Sequence, residues 1–146
     1  GEVRGIGGRS LEEAWRAGPR TYRSITIPGF PNYFMIVGPN APIGNISIID
    51  VSETQTRYIL DCILAIARRP GRVLAPKGEA AQRFQADLRE AMKGTVWVTG
   101  CSSWYIDPDG EPTLWPWSAR HFHDLLRRPE FGDFDWLPAV EAGETQ

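Results

Sequence analysis

Apolar residues in this chain follow three rhythms. Tyr33 to Val37 is a continuous apolar run, which predicts a strand covered on both faces. Ile48, Val51, Tyr58, Ile59, Ile63 and Ile66 recur at helical spacing. Ala81, Phe84, Leu88 and Ala91 do the same further on, with Gln82, Arg83, Asp87 and Glu90 largely opposite. Tyr22, Ile25 and Ile27 alternate loosely, predicting a short strand or extended arm over 21–27. Turn residues separate these segments. Pro28-Gly29 and Pro31-Asn32 are turn dipeptides, and Gly38-Pro39-Asn40 stops the apolar run. Pro42 and Gly44 keep the next loop irregular. Ser47 is placed to cap a long helix that ends at Arg68-Arg69, before Pro70-Gly71. Two cations there suit the negative end of the helix dipole. The stretch 27–69 thus reads as turn, strand, loop and helix. Unpaired N–H groups and the positive dipole end converge where such a loop enters its helix, which favours an anion or cofactor. Many such units bind nothing.

The flanking segments add smaller elements. Ser10 and Glu13 have the spacing of a capping box, opening a short helix over 11–17 that Gly18-Pro19 close. Gly5 and Gly7 begin a dinucleotide-type glycine pattern, but its third glycine falls on Ser10 and no strand precedes it. That cluster is a turn. Residues 70–78 are linker-like, with Val73-Leu74 a candidate short strand. A helix over 79–93 ends at Gly94. Residues 95–99 read as a strand, 100–103 as a bend, and a second strand starts at Trp104. Asp107-Pro108-Asp109-Gly110 is a turn, the chain returns over 113–115, and a helix over 118–128 is closed by Pro129. From Gly132 the sequence reads as a loose acidic tail pinned by Phe134 and Trp136, with 141–146 disordered.

Composition narrows the function classes. A chain of 146 residues makes one domain or at most two. With 16 basic against 18 acidic residues, nothing points to nucleic acid or a membrane surface. The sequence has no transmembrane-length apolar stretch and no signal-peptide core, so a cytoplasmic location is expected. Cys62 and Cys101 make no disulfide framework, and Cys62 reads as a core residue. His121 and His123 are two apart on a helix, point to different faces and read as surface residues rather than a metal pair. Asp107, Asp109 and Glu111 read as a solvated turn, not a calcium loop. Six tryptophans, most of them in the C-terminal half, admit a sugar or peptide platform or an aromatic-packed subdomain; packing is the favoured reading. No phosphate-binding loop, nucleophile elbow or HExxH or CxxC pattern occurs.

Wording adds what spacing does not. PGFPNYFMIVGPN, followed by Glu53-Thr54-Gln55 and Arg57-Tyr58-Ile59, resembles the C-terminal third of FAD-dependent flavin-containing monooxygenases, most closely the Baeyer–Villiger branch. GGRSLEEAW over 7–15 is similar to the segment before that turn, and TVWVTGCSSWY over 95–105 and LWPWS over 114–118 to the family's final segment. The resemblance covers about 4–135, in the family's order. It implies an α/β fold: part of a Rossmann-like, two-dinucleotide-binding-domain flavoprotein over 1–70, a linker over 71–78, and a small α+β subdomain of helix and aromatic hairpin over 79–140.

The resemblance also implies cofactors and roles. FAD and NADPH would serve the whole enzyme, although the glycine fingerprints that bind them in the family are absent here. Gly38, Pro39 and Asn40 would lie at the strand end near the flavin ring. Ser47 and Ile48 would border the isoalloxazine edge, where a helix N-terminus favours electron density at the N1/O2 end. Trp104 would match a tryptophan that approaches the nicotinamide. Where the family often has Gly-His-Asn-Ser, this chain has Gly44-Asn45-Ile46-Ser47. The expected function is the C-terminal part of a monooxygenase that inserts one oxygen atom from O2 into a ketone or soft heteroatom of a small organic substrate. The chain is expected to be incomplete alone, pairing with a missing N-terminal portion or with itself. The alternative is a stand-alone, non-enzymatic, aromatic-rich binding module.

Overall fold

The chain, seen in a computed structural model that describes residues 2–93 and 114–139, is built around one long helix. In order, its elements are a 3-10 turn at Ile6–Gly8, α1 (Leu11–Ala14), α2 (Ile48–Ala67), β1 (Arg72–Pro76), α3 (Gly78–Met92), α4 (Ala119–Leu125), a 3-10 turn at Phe131–Asp133 and β2 (Phe134–Pro138). Helices and strands are mixed, as expected. The strands are few: one antiparallel pair joins β1 to β2, with Leu74 opposite Trp136.

α1 starts where its capping box places it. The Ser10 hydroxyl accepts from the Glu13 amide at 3.1 Å, and the Glu13 carboxylate accepts from the Ser10 amide at 2.8 Å. That backbone donor holds the Glu13 carboxyl below its usual range. The glycine cluster just before is a turn, with Gly7 and Gly8 at positive φ (68° and 75°). A Cβ on Gly5 would lie 2.3 Å from the Gly29 carbonyl oxygen.

Two sequence expectations fail here. Residues 33–37 form no strand, and Ile36 is 52% exposed. The segment's hydrogen bonds run to scattered partners instead of a ladder: Asn32 N–H to the Leu74 carbonyl (2.8 Å), Met35 N–H to the Ile25 carbonyl (2.8 Å) and Val37 N–H to the Gln55 side chain (2.6 Å). Positive φ at Asn32 (55°) and Val37 (56°) breaks the extended conformation at both ends. Residues 21–27 likewise make only a one-residue bridge, Tyr22 to Thr26, around a turn with Arg23 and Ser24 at positive φ.

The supposed loose tail after Gly132 is also ordered over Phe134–Pro138, as β2. Its partner is the Val73-Leu74 candidate, which is part of β1. Asp133 secures the entry to β2. Its carboxylate accepts from Tyr22 Oη at 2.5 Å and Arg83 Nη2 at 2.8 Å, and its carbonyl accepts from the Lys77 amide at 2.9 Å. The Arg69 guanidinium sits 3.9 Å from the Trp136 ring centroid. The expected disorder of 141–146 and the hairpin over 95–113 lie outside the described residues.

One core collects side chains from both halves of the chain: Tyr22 and Ile25 from the N-terminal arm, Val51, Tyr58 and Cys62 from α2, Leu74 from β1, Phe84 and Leu88 from α3, and Trp115, Phe122 and Phe134 from the C-terminal part. Trp115 is buried and meets Phe122 edge-on at 5.3 Å, while Trp117 and Trp136 pack against the core. These tryptophans are packing residues; Trp97 and Trp104 lie outside the described residues. Among the described residues no helix is long and apolar enough to cross a membrane.

Cys62 is fully buried on α2, as its apolar setting implied. Burial, reinforced by the Asp61 charge, pushes its thiol up to about 12. Burial also raises the Tyr58 hydroxyl, and burial together with the bond to Asp133 raises that of Tyr22. Groups raised on folding stabilise fully below their unfolded values and lose that contribution as pH climbs toward the folded ones. Chemical denaturation should therefore show constant stability at neutral pH and a decline above pH ~8.5, where an unfolded thiol ionises and the buried one does not. Native Cys62 should resist maleimide at pH 8 until denaturant is added.

Candidate functional site

The loop from Val37 to Ser47 and the first turn of α2 form the unit in question. Gly38 is required by close approach: a Cβ there would lie 2.5 Å from the Ser24 carbonyl oxygen. Asn40 is buried at positive φ (66°), and its side-chain oxygen accepts from Gln85 Nε2 at 3.3 Å. Gln85 also donates to the Thr21 carbonyl at 2.9 Å, and the Thr21 hydroxyl donates to the Pro39 carbonyl at 3.4 Å. Further along, Asn45 Nδ2 donates to the Trp115 carbonyl at 3.3 Å. The loop is thus pinned by α3 on one side and by the Trp115 segment on the other.

Gln55 supports it from below. This residue is completely buried on the apolar face of α2, and its oxygen takes the Val37 N–H at 2.6 Å. Its Nε2 is buried without a partner among the described residues, as is the Ser24 hydroxyl. A β-branched residue at positive φ is strained, so this hydrogen bond holds Val37 where its own preference would not.

The N-terminus of α2 is open. Ser47 is the N-cap residue, but its hydroxyl makes no capping hydrogen bond, contrary to the expectation from sequence. The Ser47 carbonyl does accept from Val51 N–H at 3.0 Å, while the Ile48, Ile49 and Asp50 amides have no partner among the described residues. Ile48 and Ile49 are 56% and 68% exposed. Of the residues the resemblance singled out, then, Gly38 and Asn40 are buried framework, Pro39 is half-buried, and Ser47 and Ile48 are exposed at the helix start. Trp104 lies outside the described residues.

Sequence reading missed one cluster beside this helix start. His123 on α4 bridges two residues of α2, with Nε2 3.1 Å from Asp50 Oδ2 and Nδ1 3.2 Å from Thr54 Oγ1. Asp50 and Thr54 stand one turn apart and so share a face. No local signal ties them to a histidine about seventy residues away. His121, the other half of the dismissed pair, instead lies against Trp117, with centroids 4.8 Å apart.

Stability measurements separate framework from opening. Ser47→Ala should change stability by less than about 0.5 kcal/mol, whereas Ser10→Ala, which deletes a formed capping box, should cost about 1 kcal/mol in thermal or urea melts. Gln55→Leu should cost about 1–3 kcal/mol, because it leaves the Val37 amide without its acceptor; a neutral result would show that the loop holds its shape unaided.

Comparison with known proteins agrees with this architecture. No protein-family profile matches the chain. An uncharacterized monooxygenase of Mycobacterium tuberculosis is 36% identical over 143 residues, covering 97% of this chain and 29% of the relative. A Baeyer–Villiger monooxygenase of Streptomyces coelicolor is 37% identical over 143 residues, covering 96% of this chain and 28% of the relative. Among solved structures, an oxidized steroid monooxygenase bound to NADP superposes with a TM-score of 0.84 at 26% identity, over 94% of this chain and 27% of that one. The closed form of cyclohexanone monooxygenase gives 0.78 at 26% identity, over 94% and 27%. The chain therefore spans less than a third of the length of these relatives. In sequence and in fold alike, the chain is similar to one portion of monooxygenases of the Baeyer–Villiger type.

Proposed function

We propose that this chain is the part of an FAD- and NADPH-dependent monooxygenase that presents a helix N-terminus to the flavin edge, in an enzyme inserting one oxygen atom from O2 into a ketone or soft heteroatom. Support comes from the relatives' own names, which include Baeyer–Villiger monooxygenases and FAD-binding monooxygenases, and from the NADP-bound steroid monooxygenase.

The single observation that carries the reading is the open start of α2. Three amides without partners among the described residues and the positive end of a 20-residue helix meet at an exposed point. A polar, electron-rich ring edge fits such a start, and Ile48 and Ile49 offer it apolar flanks. The Ser47 hydroxyl makes no capping bond and leaves these amides available. The bound flavin would supply the redox chemistry, taking a hydride from NADPH and activating O2.

The chain's own residues would hold and orient. Gln55, Asn40 and Gln85 fix the loop that leads into α2, so the amides keep one direction. Asp50 would place a negative charge in the first turn, but its carboxylate is turned toward His123 on α4. Gly38, Pro39 and Asn40 act as framework, Ser47 and Ile48 as the contact, and Trp104 as the nicotinamide-side residue. Among the described residues no glycine-rich turn suits FAD pyrophosphate, since Gly5 to Gly8 form a closed turn before a four-residue helix. A stand-alone aromatic binding module gains no support, because Trp115, Trp117 and Trp136 belong to the core and its margin.

Purified alone, the chain should retain no FAD and oxidise no NADPH. Grafted in place of the matching segment of the Streptomyces coelicolor relative, it should restore a flavin-containing protein that consumes NADPH with a ketone. A graft that folds but stays colourless, or an isolated chain that binds stoichiometric FAD, would refute the assignment.

A further inference from the structure

α2 has two faces, and only one of them is used. Val51, Thr54, Gln55, Tyr58 and Cys62 point into the core. The opposite side carries Ile48, Ile49, Leu60, Ile63 and Leu64, each between 46% and 68% exposed. At 100° per residue these five lie within one broad sector, together with Ser52 and Thr56. The sector is not uniform. Two isoleucines stand at its N-terminal end and three aliphatic residues at its C-terminal end, with the small side chains of Ser52 and Thr56 between. A concavity of about 500 Å³ lies there, lined by Ile48, Ile49, Ser52, Glu53, Thr56 and Arg57. Two aliphatic ridges around a small-residue dip are what a crossing element needs to pack closely.

A helix apolar on both sides belongs inside a larger body, and an exposed aliphatic stripe of this kind marks a contact surface. The relatives say where its cover comes from: this chain accounts for 29% and 28% of two of them, leaving some seven-tenths of such a polypeptide outside the matched region. We infer that the outer face of α2 is an internal seam, closed by an apolar helix or strand from that remaining portion crossing at Ser52 and Thr56. The inference rests on the monooxygenase reading and adds to it the surface on which the two portions join. Glu53 and Arg57, an exposed pair at 3.7 Å, line one flank of the dip and supply a polar rim.

Cysteine accessibility tests this. Leu64→Cys and, as an exposed control on α3, Ala86→Cys are placed both in the 146-residue chain and in the graft into the Streptomyces coelicolor enzyme, and maleimide labelling is followed by mass. Leu64→Cys should label freely in the chain alone and on the order of 100-fold more slowly in the graft. Ala86→Cys should label in both. Leu60→Glu, three turns from the helix start, should leave the melting point of the isolated chain unchanged and lower that of the graft. A graft that holds FAD while Leu64→Cys labels freely would overturn the seam alone. A graft that lacks FAD but protects Leu64→Cys would overturn the flavin reading and keep the seam. Concentration-dependent protection in the isolated chain would show that a second copy takes the face, which overturns the proposal, as would an insoluble graft.

Discussion

The arrangement around α2 depends on an amide buried in an apolar helix face. Gln55 is wholly enclosed, and its oxygen receives the N–H of Val37 from an irregular arm that has no sheet to join. A buried donor left unpaired costs about 1–3 kcal/mol, comparable to the strain of a β-branched residue at positive φ. The Gln55 oxygen removes the first penalty and helps hold Val37 against the second. It also sets how the arm crosses the helix, and so where the following loop delivers the chain to Ser47. Asn40 and Gln85 repeat the device from α3. Amide side chains replace the ladder that a strand would have provided.

That framework gives α2 its asymmetry. The inward face is anchored by Tyr58, Cys62 and Gln55, the start is left open, and the outward face keeps its aliphatic side chains in water. The His123 bridge to Asp50 and Thr54 fastens α4 beside the open start, on the side away from the aliphatic stripe. An uncapped start and an uncovered stripe on the same helix are features of a component rather than of a closed unit. Each is unfavourable in water.

The aromatic residues follow the same economy. Trp115, Phe122, Phe84 and Tyr22 interlock through edge-on and tilted contacts, so the C-terminal segment and α3 form one core with α2. Asp133 then ties the arm, α3 and the entry to β2 through Tyr22, Arg83 and the Lys77 amide. A two-stranded sheet with so few ladder bonds would not hold by itself. It persists because its ends are fastened by side chains.

Local sequence determined what local physics controls. The capping box at Ser10 and Glu13, the extents of α2 and α3 to within a residue or two, the Val73-Leu74 strand and the burial of Cys62 all follow from short-range spacing and punctuation. The wording of PGFPNYFMIVGPN and its companions reached the family, which no periodicity could. Tertiary structure decided the rest. Apolar residues 33–37 read as a buried strand, yet Ile25 and Gln55 take the Met35 and Val37 amides, and Leu74 takes that of Asn32 just before. The acidic tail after Gly132 reads as loose and pinned by Phe134 and Trp136, and it is the pairing with β1 that orders Phe134–Pro138. Helical spacing grouped Ile48 and Ile63 with Val51 and Tyr58 on α2, but a helix with aliphatic side chains all round does not say which face its neighbours will cover. Long-range contacts alone choose that face, and here they chose the one carrying Gln55.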